Sequence, residues 1–295
     1  MPLSTLLYDS DSSLVRQAYD PSIMGFMNLA GCGVAAWNAE SPYAEEPLIY
    51  KDTELPMYDH NLLSLSRKFS GDCIIGHVRG ANYFAAGAAD VTRSNCHPFR
   101  LPGHRLCMAH NGGLADFDSM KFDLLEYIRP EIASKILGTT DSEWVYAVMM
   151  SQLDGPDDDL EAGQIADLVL ETLKIFREVR HRRGIDTASG VNLFVSDGKS
   201  LVATRFTFDF GCYDGVLSAS NLIFHSLWYT VGRDYGLYDG LWRMGGSVDD
   251  ADAIVVASEP LTRDTTTWIE VPEYSMLTVS RGEAGISVDA VDLEI

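Results

Sequence analysis

The chain has 295 residues, 46% of them apolar, enough to bury a substantial core. Its 22 basic against 43 acidic residues give a formal charge of −21, which argues against binding a nucleic-acid backbone or an anionic membrane surface. No apolar run approaches membrane-spanning length and the five cysteines form no CxxC pair, so the expectation is a protein of the reducing cytoplasm, without a disulfide framework.

Glycine is spread evenly, no Pro- or Ser-rich linker divides the chain, and no repeat is visible, so a single domain over 1–295 is expected. Leu3, Leu6 and Leu7, then Ser13 to Val15 beyond a polar DSDSS, predict a short helical turn, a loop and a second short segment. LAGCGVAAW places Cys32 inside a buried strand, where it reads as a small core residue. GVAAWN and PLIYKD predict two strands, and 61–69 a short amphipathic helix with Leu62, Leu63 and Leu65 on its apolar side. CIIGHVR (73–79) and LCMAHNG (106–112) read as strands flanking a loop rich in Gly, Ala, Asn and Pro. A helical pattern over 119–137 is interrupted at Pro130 and stopped at Gly138. Thr140 and Glu143 have capping-box spacing, with Glu143 read as a cap ahead of a mostly buried helix over 142–153. GPDDDLEAG (155–163) reads as an acidic surface loop. Ile165, Leu168, Val169, Leu173, Phe176 and Val179 mark one face of a long helix over 162–182, whose basic end reads as a last turn matched to the helix dipole. VNLFVS, Asp197-Gly198 and SLVATRF predict a hairpin with a two-residue turn. NLIFHSLWYTV (221–231), AIVVASEPL (253–261) and WIEVPEYSMLTVS (268–280) supply the later strands.

The chemistry gathers at the ends of the central pair. Arg79 is either a surface cation paired with one of many acids or a bidentate clamp for a carboxylate. Asn111-Gly112 is either a tight hairpin turn or an oxyanion hole, and the non-alternating GGLADF that follows weakens the hairpin. Asp141 has a sound reading as a first-turn acid favoured by the dipole. His77 reads as structural, and Asn95, Pro98 and Phe99 as residues that shape a loop. His97, His104 and His110 match no common zinc spacing, so no metal is expected.

HVR, SNCHPF, HNG, GTTDSE (138–143) and ASEPL, the last followed by a Trp and VP, stand in an order that resembles the class II glutamine amidotransferases, which are N-terminal-nucleophile (Ntn) hydrolases. Within them the chain looks closest to the stand-alone branch that includes ergothioneine-pathway and glutathione-degrading γ-glutamyl hydrolases. The similarity runs from about residue 3 to about residue 272. It implies an α+β fold, a four-layer αββα sandwich of the Ntn type. It also implies hydrolysis of glutamine or another small γ-glutamyl compound through an N-terminal Cys thioester, with no cofactor. On this resemblance Arg79 would bind the substrate carboxylate and Asp141 its ammonium, while Asn111 and Gly112 would polarise the scissile carbonyl. The family opens on a catalytic Cys carried by a central first strand. Here the chain opens MPLST and no Cys precedes Cys32, so the first strand is expected to be lacking from this sequence through a start set too late. Ser4 or Thr5 would replace the nucleophile only after a cleavage that nothing predicts. The alternatives are a glutaminase subunit delivering ammonia to a separate synthase partner, and an inactive homologue that binds glutamine or a γ-glutamyl compound.

Overall fold

The computed structural model describes residues 1–23, 25–80, 91–155, 157, 160–211, 224–282 and 285–295. Most of the loop expected after Arg79 (81–90), part of the acidic loop, Cys212 and the start of the strand expected at 221 lie outside the described residues.

A π-helical turn, Thr5–Asp9, leads to α1 (Leu14–Tyr19), as the leucine pattern predicts. Strands β1 (Cys32–Trp37) and β2 (Leu48–Asp52) follow, then α2 (His60–Ser66) and β3 (Cys73–Val78), and the three strands form one antiparallel sheet in the order β2-β1-β3. The Asp59 carboxylate caps α2, accepting from the backbone N–H of Asn61 at 3.0 Å and of Leu62 at 2.9 Å. Every residue of β1 is buried, because its two faces serve two cores. Cys32, Val34 and Ala36 pack with Leu3, Leu7, Val15 and Leu62. Ala35 and Trp37 point the other way, onto Cys107 and Ala109 of β4 (Cys107–Gly112). Small residues at 32–36 allow this close approach on both sides.

The helical region expected over 119–137 is two pieces, α3 (Phe117–Leu124) and α4 (Pro130–Ala133), with Pro130 opening the second, where its missing N–H costs nothing. α5 (Asp141–Ser151) and α6 (Ala162–Arg183) agree with the sequence periodicity to within two residues at each end, and α6 ends at Gly184 with φ +65°. The rest is β5 (Ser189–Ser196), β6 (Leu201–Arg205), β7 (Thr207–Phe208), β8 (Trp228–Gly232), β9 (Asp234–Tyr238), β10 (Leu241–Gly245), β11 (Ala253–Ala257), β12 (Ile269–Glu270), β13 (Ser275–Gly282) and β14 (Gly285–Asp292). One sheet runs β14-β13-β6-β5-β4 with β7 on β5, another β11-β8-β12, and β9 and β10 form a ribbon. Met149, Val169, Leu173 and Phe176 of α5 and α6 pack against Leu193, Val195 and Val202 of the larger sheet. The result is a mixed α/β fold built on antiparallel sheets. Among the described residues no helix is long and apolar enough to cross a membrane.

Three expectations are corrected. Register pairs Ser196 with Leu201, so the β5–β6 loop is four residues, closed by Asp197 Oδ1 accepting from Lys199 N at 2.9 Å and Ser200 N at 2.8 Å. Asp157 of the acidic loop is buried, its Oδ2 accepting from Arg105 N and Leu106 N, each at 2.8 Å. Arg180, in the basic end of α6, turns inward and is 1% exposed. Its guanidinium donates to Thr187 O at 2.6 Å, Ser189 Oγ at 2.9 Å and Asp209 Oδ2 at 2.8 Å. Asp209 keeps a second partner in Arg177 Nη1 at 2.5 Å, so losing Arg180 leaves that carboxylate paired but takes a charged donor from Ser189 Oγ and Thr187 O, at a cost of about 1–3 kcal/mol. Arg180→Ala is therefore expected to lose about that much unfolding free energy in a denaturant titration. A loss below about 1 kcal/mol would show that these bonds carry no such weight.

Candidate active site

Asn111, Gly112 and Asp141 sit where the end of β4 meets the N-terminus of α5, and Arg79 follows the end of β3. Asn111 and Gly112 end β4. Gly112 has φ +147°, and a Cβ there would lie 1.9 Å from Gly190 O, so only glycine lets β5 pass this close. Gly113 N donates to Gly190 O at 3.0 Å, and Leu114 N donates to Asp141 Oδ2 at 2.6 Å. Asp141, the first residue of α5, thus lies directly beside the Asn111-Gly112 turn. Its other oxygen accepts from Ser142 N at 2.7 Å. Arg79 follows β3 and is 8% exposed, its main chain continuing the ladder through Arg79 N to Gly31 O at 2.8 Å and Ala30 N to Arg79 O at 2.8 Å. Burial raises the Cys96 pKa and lowers those of His77 and His97; the Arg79 charge opposes the first shift and adds to the other two. The capping box is half formed. Thr140 Oγ1 accepts from Glu143 N at 3.3 Å, but the Glu143 carboxylate turns to Leu137 N at 2.9 Å and Gly138 N at 2.6 Å. Glu143 therefore fastens the preceding loop rather than returning to Thr140.

Three histidines knit β3 and β4 together. His77 stacks on His97 with ring centroids 4.1 Å apart. His77 Nε2 donates to His110 O at 3.2 Å, since a carbonyl only accepts. His97 Nδ1 accepts from His110 N at 3.1 Å, which requires a bare ring nitrogen and hence a neutral ring. Burial pushes the His77 pKa down to about 3 and that of His97 well below its ordinary value. The third ring, His110, reaches Ser142 Oγ at 2.9 Å through Nδ1 and Gly190 O at 3.3 Å through Nε2. The Ser142 hydroxyl also lies 3.1 Å from Asp141 Oδ1, so one proton faces two acceptors. With Nε2–H donating to Gly190 O, a neutral ring leaves Nδ1 bare, able only to accept from the Ser142 hydroxyl. Burial lowers the His110 pKa while the Asp141 charge raises it.

A cavity of about 910 Å³ opens against Asn111. Its walls include every residue of β3 and every residue of β11, each an edge strand of its sheet among the described residues. Leu7, Leu14, Ala109 and Phe194 also line it.

A family model for class II glutamine amidotransferases matches residues 29–208. The chain belongs to the class II glutamine amidotransferases. This amidotransferase is 29% identical over 296 residues to a Saccharomyces cerevisiae protein described as probable glutamine amidotransferase DUG3, covering 95% of this chain and 78% of that one. A glutamine aminotransferase class-II domain protein from Silicibacter pomeroyi superposes with a TM-score of 0.59 at 22% identity, over 89% of this chain and 92% of that one. Glutamine phosphoribosylpyrophosphate amidotransferase from Bacillus subtilis gives 0.54 at 18% identity, over 91% and 44%. These two structures share the amidotransferase fold.

Several residues that the structure places beside the candidate ones went unassigned in the sequence of this class II amidotransferase. Asn111 Nδ2 donates to Ser258 Oγ at 2.9 Å, and Glu259 Oε2 accepts from Ser22 N at 2.7 Å and Ile23 N at 2.9 Å. Both lie in the SEP run, so the signal was present without a partner attached to it. Ser142 lay inside TDSE, hidden by its reading as a helix start. Nothing marked Gly190. The four described cysteines are free thiols. Burial pushes Cys32 and Cys107 up to about 12 and Cys73 up to about 11, so none of these three is a ready thiolate. Among the described residues no three metal-binding side chains cluster to hold an ion.

The histidine cluster sets an acid limit. An unfolded chain takes up protons near pH 6.5, which folded His77 refuses until about 3. Stability from this ring is complete above pH 6.5 and is lost as the pH falls from there towards 3. The His77→Gln variant keeps a donor for His110 O and does not titrate. Its unfolding free energy is expected to decline less steeply than wild type over that window; identical slopes would exclude His77 as the source.

Proposed function

We propose that this chain is the body of a γ-glutamyl amide hydrolase, a four-layer αββα sandwich of the Ntn type lacking its first strand. The nucleophile, an N-terminal Cys absent from the 295 residues, would ride on a strand seated between β3 and β11. The cavity between those two strand edges carries this reading. It is bounded by the six residues of β3 and the five of β11, a good match to a typical strand of about 5–6 residues. Asn111 lies on its wall, so a strand placed there would bring its chain end to the Asn111-Gly112 turn.

In the proposed reaction Arg79 holds the substrate α-carboxylate through its guanidinium fork and Asp141 holds the α-ammonium. The free α-amine of the N-terminal Cys, with a pKa near ~8, accepts the thiol proton. The thiolate attacks the side-chain carbonyl, and Asn111 Nδ2 and the Gly112 N–H hold the oxyanion. The C–N bond breaks, ammonia or an amine leaves with the proton, and water cleaves the γ-glutamyl thioester to glutamate and free thiol. The same chemistry would let a separate synthase partner consume the ammonia. A reducing cytoplasm is the proposed setting, in keeping with four unpaired thiols. A second reading, reversible binding of glutamine or a γ-glutamyl compound without turnover, is favoured by the raised pKa of Cys32, Cys73 and Cys107.

N-terminal sequencing and intact mass of the protein expressed from its own locus, with upstream DNA intact, separate the two. A mature chain that begins with Cys upstream of Pro2 and gives one stoichiometric adduct with a glutamine-like diazo-ketone is the expected result. A chain beginning at Met1 or Pro2 that binds glutamate reversibly and forms no adduct would replace the hydrolase with the binding protein. In either case Arg79→Ala is expected to weaken glutamate at least about tenfold, the loss of a charge-assisted hydrogen bond. Unchanged affinity in titration calorimetry would remove Arg79 from the clamp.

A further inference from the structure

We propose that a second, smaller pocket, lined in part by the 94–99 loop, is a binding site for a small phosphate-type oxyanion. The pocket has a volume of about 190 Å³ and is lined by Lys51, Arg100 and Lys135, with Ser94, Phe99 and Glu143. Three cations here face one carboxylate, in a chain where acids outnumber bases 43 to 22.

Most of the other basic side chains are in ion pairs. Among the described residues the cations with no ion pair are Lys51, Arg67, Lys68, Arg100, Lys135 and Arg263. Half of these line this one pocket. Glu143 offsets at most one of the three charges, and its oxygens are held by the backbone N–H groups of Leu137 and Gly138. Arg100 Nε is held by His104 O at 2.6 Å, which fixes the guanidinium at the wall. Lys51 stands over the Phe99 ring, its ammonium 5.2 Å from the centroid, a weak substitute for an anion. Burial lowers the Lys51 pKa, the behaviour of a cation left short of a counter-ion. Two ammonium groups and a guanidinium fork give donors from several directions, which suits a tetrahedral, multiply charged oxygen cluster. A carboxylate would be satisfied by the Arg100 fork alone. The strongly acidic remainder of the chain makes adventitious anion binding elsewhere unfavourable, so occupancy should read out as a single site.

The test uses the full chain and inorganic phosphate in titration calorimetry, with sodium chloride at matched ionic strength and acetate as comparison ligands. One phosphate per chain is expected, with phosphate tighter than acetate and chloride giving no saturable heat. Lys51→Met and Arg100→Gln are each expected to weaken phosphate at least tenfold. Lys135→Met, an exposed position that leaves the fold intact, is expected to weaken it several-fold. Lys68→Met, an unpaired cation outside the pocket, should leave it unchanged. Equal loss in the Lys68 variant, no saturable phosphate heat, or acetate binding as tightly as phosphate would each overturn the proposal. Binding needs no turnover, so the outcome is independent of whether the chain carries a nucleophile.

Discussion

The junction between β4 and the first turn of α5 is the contact on which the rest of the site depends. A strand end and a helix start meet there, and each supplies what the other lacks. The exit of β4 has backbone N–H groups with no sheet partner, and Asp141 accepts one of them from Leu114 at 2.6 Å. Ser142 reaches back to the His110 ring, one residue before Asn111. A carboxylate at a helix N-terminus is already favoured by the local dipole. Here it is also pinned by two backbone donors, which removes rotamer freedom that would otherwise have to be lost on binding a ligand. Asp141 is thus an oriented charge held by the fold itself.

Around that junction the protein handles its buried ionisable groups in two ways. The imidazoles and thiols are kept neutral by desolvation, as the depressed His77 and His97 and the raised Cys32 and Cys107 demonstrate. Arginines are kept charged and surrounded, as with Arg180 between Asp209, Ser189 and Thr187. The difference follows from chemistry: a guanidinium cannot shed its proton to escape burial, whereas a histidine can. A neutral histidine layer beside Arg79 also avoids placing further positive charge next to that guanidinium.

Much of this was legible in the sequence, for reasons that differ by element. α6 and α5 were readable because a buried helix face repeats every 3.6 residues, and Gly184 marks the stop. β1 was readable as a buried strand because its residues are small and apolar throughout. The family motifs singled out Arg79, Asn111, Gly112 and Asp141 as candidates, and the fold brings the last three together at the end of β4. Tertiary partners were not legible. Arg180 looked like the other basic residues in the last turn of its helix until Asp209, 29 residues away, turned it inward. Asp157 looked like its acidic neighbours until the turn at Arg105 and Leu106 claimed it. The β5–β6 turn was misjudged by two residues because Asp197 builds its own hydrogen-bonded loop, a local choice that strand periodicity does not encode.

The cavity between β3 and β11 carries a thermal consequence. Its walls combine apolar side chains, among them Ile74, Ile75, Ile254 and Val256, with the peptide edges of two strands. Peptide groups of that kind require water when no strand pairs with them. Any segment that settles there expels this water from apolar surface, and such burial lowers the heat capacity of the folded state. The filled protein would therefore show a larger heat-capacity step on unfolding and a more sharply curved stability profile than the open one. Its resistance to cold, as well as to heat, becomes a property of whether that slot is occupied.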